Sequence, residues 1–164
     1  MCYNTYVWWM PSLLQKEIKQ TRPFKSAEEE VLLSVERTAA VLLHRLADTF
    51  KPYDVTPAQY NVLRILRGAG PAGLCRNDIR DRLVAQVPDV TRLLDRLVDA
   101  CLVARERESD DRRVVTTRIT KQGLELLEQL DAPVADSQRR ALGHMSATQL
   151  RALIDLLALA RSPA

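Results

Sequence analysis

Between Val87 and Ile119 the apolar residues change period, and the change marks two different elements. Val90, Leu93, Leu94, Leu97 and Val98 recur at i, i+3, i+4, i+7 and i+8, so they share one face of an α-helix running over about 89–100. The opposite face carries Pro88, Arg92, Asp95, Arg96 and Asp99. Val103–Glu108 and Val114–Ile119 are short runs rich in β-branched residues, separated by the polar stretch Ser109–Arg113, and together predict a hairpin.

The flanking segments keep the helical period. Leu13–Gln20 reads as a short helix, closed by Arg22-Pro23 because the residue before proline resists helical backbone. Ser26-Ala27-Glu28-Glu29 is a capping box opening a long helix to about Phe50, whose apolar positions are Val31, Leu32, Val35, Ala39, Leu42, Leu43 and Leu46. Thr56-Pro57-Ala58-Gln59 starts a helix to Arg67 with Tyr60, Leu63 and Leu66 inward. Gly68–Gly73 is a turn cluster, Arg76–Leu83 a short helix with Ile79 and Leu83 inward, and Val84–Val87 the turn into the central helix. Thr120 caps a helix through Leu124, Leu127 and Leu130 to about Leu142, in which Pro133 predicts a kink or a short break. Ser146-Ala147-Thr148-Gln149 opens a last helix through Ala160, apolar on most sides. The predicted fold is mainly α with a small β-hairpin wing: a winged helix-turn-helix flanked by dimerisation helices. The expected divisions are an arm over 1–25, a dimerisation helix over 26–55, a winged DNA-binding domain over 56–120 and C-terminal dimerisation helices over 121–164. The outer helices carry more apolar surface than one compact winged domain can cover, which points to a homodimer.

Composition narrows the function classes. The chain has 164 residues, 46% hydrophobic and 27% charged, with a net charge of +3 that permits nucleic-acid binding without demanding it. An aromatic content of 5% argues against a base-stacking single-strand binder. Cys2, Cys75 and Cys101 form no disulfide framework and no C-x-x-C, and His44 and His144 share no metal-like spacing with them. No nucleotide loop or nucleophile–base pair is present, so neither an enzyme nor a cofactor is expected. The N-terminal YVWWM lacks a basic flank and a long apolar run; it reads as neither signal peptide nor membrane span, and the protein is expected to be cytoplasmic, with no membrane partner. The aromatic cluster Tyr3, Tyr6, Trp8 and Trp9 reads either as a docking segment or as sequence upstream of a true start at Met10.

A recognition helix points its first turn into the major groove of duplex DNA. That selects Gln86, Pro88, Asp89, Thr91 and Arg92, with Gln86 suited to adenine and Arg92 to guanine or phosphate. Asp89 repels phosphate, so it reads as a helix cap or a partner for a cytosine amine. Arg76 and Asn77 begin the supporting helix, where phosphate is the natural ligand. Arg105, Arg107 and Arg112 add candidate phosphate contacts from the hairpin. The plain alternative is a buried helix beside a salt-bridged hairpin whose surface pairs contribute little. The acids Asp89, Asp95, Asp99, Glu106 and Glu108 keep a second class open, a winged-helix interaction or dimerisation module without operator binding.

TPAQYNVLRIL at 56–66, PDVTRLLDRLVDACLV at 88–103 and DDRRVVTTRITKQGLELL at 110–127 resemble the MarR (multiple antibiotic resistance regulator) family of bacterial transcription factors, over about 26–160. The resemblance implies a dimer with intertwined first and last helices, repression of neighbouring genes from a pseudo-palindromic operator, and release by small aromatic ligands. It implies that Asp111 holds the hairpin turn while Arg113 enters the minor groove, where narrow A·T-rich segments attract arginine. It also implies an effector pocket lined by elements carrying Arg37, His44, Tyr53 and Tyr60. Two departures stand out. Cys101 replaces a family glycine at the end of the central helix, and Val84–Pro88 lacks the family's Ser-x-x-Thr entry. Some relatives sense redox state through cysteine, which makes Cys75 and Cys101 candidates, although the first long helix has none.

Overall fold

The computed structural model describes residues 11–107 and 115–162. They fall into two compact units, one up to His44 and one from Arg45 onward.

The first unit begins with α1 (Leu13–Glu17), opened by a reciprocal box in which Ser12 Oγ accepts from the Gln15 N–H and Gln15 Oε1 accepts from the Ser12 N–H. The helix stops short of the expected Gln20. Lys19 turns to φ 55° and the Gln20 N–H reaches back to the Gln15 carbonyl at 2.9 Å. The long helix α2 (Ala27–Phe50) starts where the Ser26 signal placed it. Ser26 Oγ accepts from the Glu29 N–H, while the Glu29 carboxylate accepts from the Lys25 N–H at 2.6 Å, one residue earlier than in a regular box. Val31, Leu32, Val35 and Leu43 of this helix are exposed.

The second unit holds the core. A 3-10 turn at Lys51–Tyr53 leads to α3 (Pro57–Ala69), capped by Thr56 and Gln59 as the sequence signal requires. It buries Tyr60, Leu63 and Leu66, and Val62 as well. The Gly68–Gly73 cluster contains a 3-10 turn over Gly70–Ala72 and runs into β1 (Leu74–Cys75), a strand that sequence periodicity did not reveal. Two residues are too few to show a period of two. β1 pairs antiparallel with β3 (Val115–Ile119), which pairs on its other side with β2 (Val103–Arg107), so the sheet has three strands in the order β1-β3-β2 and not the two of a lone hairpin. Val103 faces Ile119, Arg105 faces Thr117 and Arg107 faces Val115.

Two helices sit between β1 and β2: α4 (Arg76–Arg82), which buries Ile79, and α5 (Val90–Asp99), which buries Val90, Leu93, Leu94 and Leu97. Each of these aliphatic side chains contributes about 1.5–3 kcal/mol by leaving water. They meet Phe50, Val55, Leu63, Leu66, Leu102 and Val103 in one cluster. At the end of α5 the Cys101 N–H bonds the Val98 carbonyl and the Leu102 N–H the Leu97 carbonyl, at 2.8 and 3.0 Å, with Cys101 at φ 58°. This is the helix stop that glycine normally supplies.

α6 (Lys121–Leu142) runs through Pro133 as one continuous helix, which overturns the short break, one of the two outcomes expected there. Proline donates no N–H, so the Gln129 carbonyl four residues earlier loses its helical partner. The Tyr53 hydroxyl donates to that carbonyl instead, over a long 3.5 Å. Leu127, Leu130 and Val134 of α6 are buried in the core on both sides of the proline in sequence. α7 (Ala147–Arg161) follows its capping box and buries none of its residues.

Candidate nucleic-acid interface

The core anchors α5 on one side only. Its buried Val90, Leu93, Leu94 and Leu97 turn Thr91, Arg92, Asp95 and Arg96 outward. Asp89 serves as the N-cap: its carboxylate accepts from the Arg92 N–H at 2.8 Å. Its oxygen is therefore engaged with the helix start, where an anion also complements the helix dipole. Arg92 projects from the same first turn and is exposed, as are Gln86 and Pro88 in the segment leading to it.

Arg76 and Asn77 occupy the first positions of α4. Arg76 Nη1 donates to Thr91 Oγ1 at 3.3 Å, so the two helices meet at the start of α5. A cleft of about 450 Å³ opens there, walled by Arg76, Asn77, Thr91, Arg105 and Thr117. The structure thus brings four sequence-selected residues, Arg76, Asn77, Thr91 and Arg105, to one place.

The acids of this face are largely engaged inside the protein. Asp95 accepts from Arg105 Nη1 at 2.5 Å, and Glu106 accepts from Arg118 Nη1 at 2.5 Å. Arg105 also donates through Nη2 to the Thr91 carbonyl at 3.3 Å, and Arg118 through Nε to the Pro71 carbonyl at 2.8 Å. Helical spacing offers Asp95 a partner on its own helix, in Arg92; its pairing with Arg105, and that of Glu106 with Arg118, escape sequence reasoning because each joins residues that no helical spacing brings together. Arg107 is exposed at the end of β2. Asp111, Arg112 and Arg113 lie outside the described residues, as do Tyr3, Tyr6, Trp8 and Trp9.

The candidate effector residues are placed in different surroundings. Arg37, on α2, pairs with Glu17 at 3.6 Å, and His44 is exposed on the same helix. Tyr60 is a core residue, its ring 4.8 Å from that of Phe50 and tilted by 40°. Arg64 caps the ring 5.9 Å from its centroid. Burial pushes the Tyr60 hydroxyl above its ordinary pKa, with the nearby Arg64 opposing. Tyr53 lines a cleft of about 300 Å³ with Leu102, Glu125 and Gln129. Among the described residues, Cys75 and Cys101 are free thiols, and no cluster of three or more His, Cys, Asp or Glu is arranged for a metal. No described helix is long and apolar enough to cross a membrane.

A MarR-family model matches residues 53–114, which include α3, β1, α4, α5 and β2. The crystal structure of a MarR transcription factor from Planctomyces limnophilus is 40% identical, covers 83% of this chain and 98% of its own, and superposes with a TM-score of 0.65. The HTH-type transcriptional regulator YdgJ of Bacillus subtilis is 30% identical over 89 residues; the match spans 54% of this chain and only about half, 54%, of that relative. A MarR variant from E. coli crystallised with operator DNA shares the fold at 24% identity, with a TM-score of 0.74 over 93% of this chain and 100% of that one. With a 40% identical relative matched over nearly its whole length, the chain belongs to the MarR family of transcription regulators.

Proposed function

We propose that this chain is a sequence-specific DNA-binding transcriptional repressor, acting as a homodimer on a pseudo-palindromic operator and released by a small aromatic ligand. The observation that carries operator binding is the outward face of α5. Arg92 and Arg96 stand exposed on a helix rigidly seated by its other side, while Asp89, Asp95 and Glu106 are occupied by a cap and two ion pairs. A helix so presented, with a three-stranded wing beside it, has the form that enters a major groove. The E. coli relative held on operator DNA has the same fold, which supports the reading. In this reading Gln86, Pro88, Asp89, Thr91 and Arg92 line the groove, Arg76, Asn77 and Arg107 hold phosphates, and Asp111, Arg112 and Arg113 are further DNA-binding candidates. The dimer is supported by α7, which buries nothing although Ile154, Leu156 and Leu159 are 55%, 63% and 71% exposed, and by the exposed Val31 and Leu32 of α2. Repression and ligand release follow from the family resemblance, with Arg37, His44, Tyr53 and Tyr60 as the effector candidates.

Binding titrations on duplex DNA selected from a random pool, repeated at several salt concentrations, test the proposal. A two-fold symmetric site with half-sites roughly one helical turn apart, and an affinity that falls steeply with salt, are the expected results. Failure to enrich any duplex overturns it in favour of an interaction module that keeps the fold without an operator.

A further inference from the structure

We propose that Arg105 is a positioning residue that sets the pose of α5, and that Asp95 is its anchor, rather than Arg105 being a phosphate contact. The inference rests on the operator-binding reading above. Arg105 stands on β2 opposite Thr117 and crosses to α5, where one planar guanidinium grips two points a single helical turn apart. Nη1 bonds the Asp95 carboxylate at 2.5 Å and Nη2 the Thr91 carbonyl at 3.3 Å. The Arg105 side chain is 28% exposed and that of Asp95 51%, so the arginine end of the pair is the sheltered one while the carboxylate end is open to water, and the grip rests on its two-point geometry. Two donors in a rigid fork restrict both the rotation of the helix about its axis and its slide along it.

The chain geometry gives this grip a purpose. α5 is tied to β2 covalently at its C-terminal end, through the tight turn Ala100–Leu102, but its first turn has no such tether. Arg105 closes the open side, joining the strand to the first two turns of α5. Arg76 holds Thr91 from the α4 side through its hydroxyl. Thr91 is thus bracketed at two atoms, and the next residue is Arg92, whose direction relative to the wing is set by that bracket. A groove-reading side chain misplaced by even about 1 Å loses much of its effect.

The test compares the wild-type chain with Asp95→Ala, Arg105→Lys and the double variant, on the duplex selected by the wild type and on a scrambled duplex. Asp95→Ala removes a negative charge from a face that meets DNA and installs the strongest helix former, so simple electrostatics predicts tighter binding to both duplexes. The positioning role predicts the reverse on the selected duplex: about tenfold weaker binding there, with the scrambled duplex held as well or better. Arg105→Lys keeps the charge and loses the fork, and should show the same loss. The double variant should be no worse than either single change. Asp95→Asn, which retains an acceptor, should recover most of the discrimination, and this separates a lost grip from a general loss of folding. Tighter binding of Asp95→Ala to both duplexes, or fully additive losses, overturns the assignment. A wild-type chain that selects no duplex overturns the operator-binding reading and this one with it. A wild-type chain that selects one, with all variants unchanged, removes the brace alone.

Discussion

At φ 58° Cys101 holds a left-handed backbone that costs an L residue about 1–2 kcal/mol and glycine almost nothing. Cys101→Gly should therefore raise stability by about 1 kcal/mol, after the extra freedom glycine gives the unfolded chain is set against the relief. A higher urea midpoint at unchanged slope is the check. Tyr60 makes a pH-dependent prediction. Burial raises its hydroxyl above the ordinary value of 10.0, so the folded state holds this proton more tightly than the unfolded one. The associated stability is complete below about pH 10 and disappears as pH rises through the folded value. Urea midpoints from about pH 8 to about pH 11 should fall less steeply for Tyr60→Phe than for the wild type. On DNA, Arg92→Ala should lose roughly 1–3 kcal/mol on the selected site and relax preference at one position per half-site, whereas Arg113→Ala should weaken binding broadly and lower the salt slope by about one. Equal losses on all sequences for both variants would reduce Arg92 to a phosphate contact. The Asp89 cap and the outward Arg92 were legible in the sequence because both follow from helical spacing. The pairs Asp95–Arg105 and Glu106–Arg118 join residues 10 and 12 apart across separate elements, and only the fold brings them together.

The boundaries of α2, α3, α5 and α7 follow capping residues and apolar periods closely, since those signals act within one or two turns. β1 was invisible for the complementary reason: its existence depends on β3, some forty residues downstream, and its own two residues carry no pattern. The junction between β3 and α6 is equally non-local. Thr120 caps α6 through the Gly123 N–H and also donates its hydroxyl to the Cys101 carbonyl at 2.7 Å, while its own N–H bonds the Leu102 carbonyl. That close approach leaves no room at Gly123, where an added Cβ would lie 2.3 Å from the Leu102 oxygen and 2.7 Å from Ile119. Gly123→Ala, ordinarily favourable in a helix, should instead destabilise by about 1–3 kcal/mol, measured by urea denaturation. A stabilised variant would show that the corner relaxes freely.

For the molecule as a whole, the surplus apolar faces of α2 and α7 define the expected behaviour. Sedimentation equilibrium at micromolar concentration should give a dimer, and truncation after Leu142 should yield a monomer or an unfolded chain, because the remaining apolar surface is left facing water. A stable, soluble monomer of the full chain contradicts the assembly. The surplus itself was readable, since a helix apolar on most sides needs cover on most sides. Which surface provides that cover is a property of two chains together and has no signature in one.

Pro133 and Tyr53 give the protein a substitution history that depends on order. With proline at 133, the Tyr53 hydroxyl is the partner that the Gln129 carbonyl has found, and because this contact is long and exposed Tyr53→Phe should cost only a few tenths of a kcal/mol. Pro133→Ala restores a backbone N–H in reach of the same carbonyl, and in that background the hydroxyl becomes dispensable. The two changes are therefore epistatic: a lineage that first loses the proline can drift away from tyrosine at 53 without penalty, while one that first loses the tyrosine comes under pressure to discard the proline. A double-mutant cycle on these two positions measures the coupling directly.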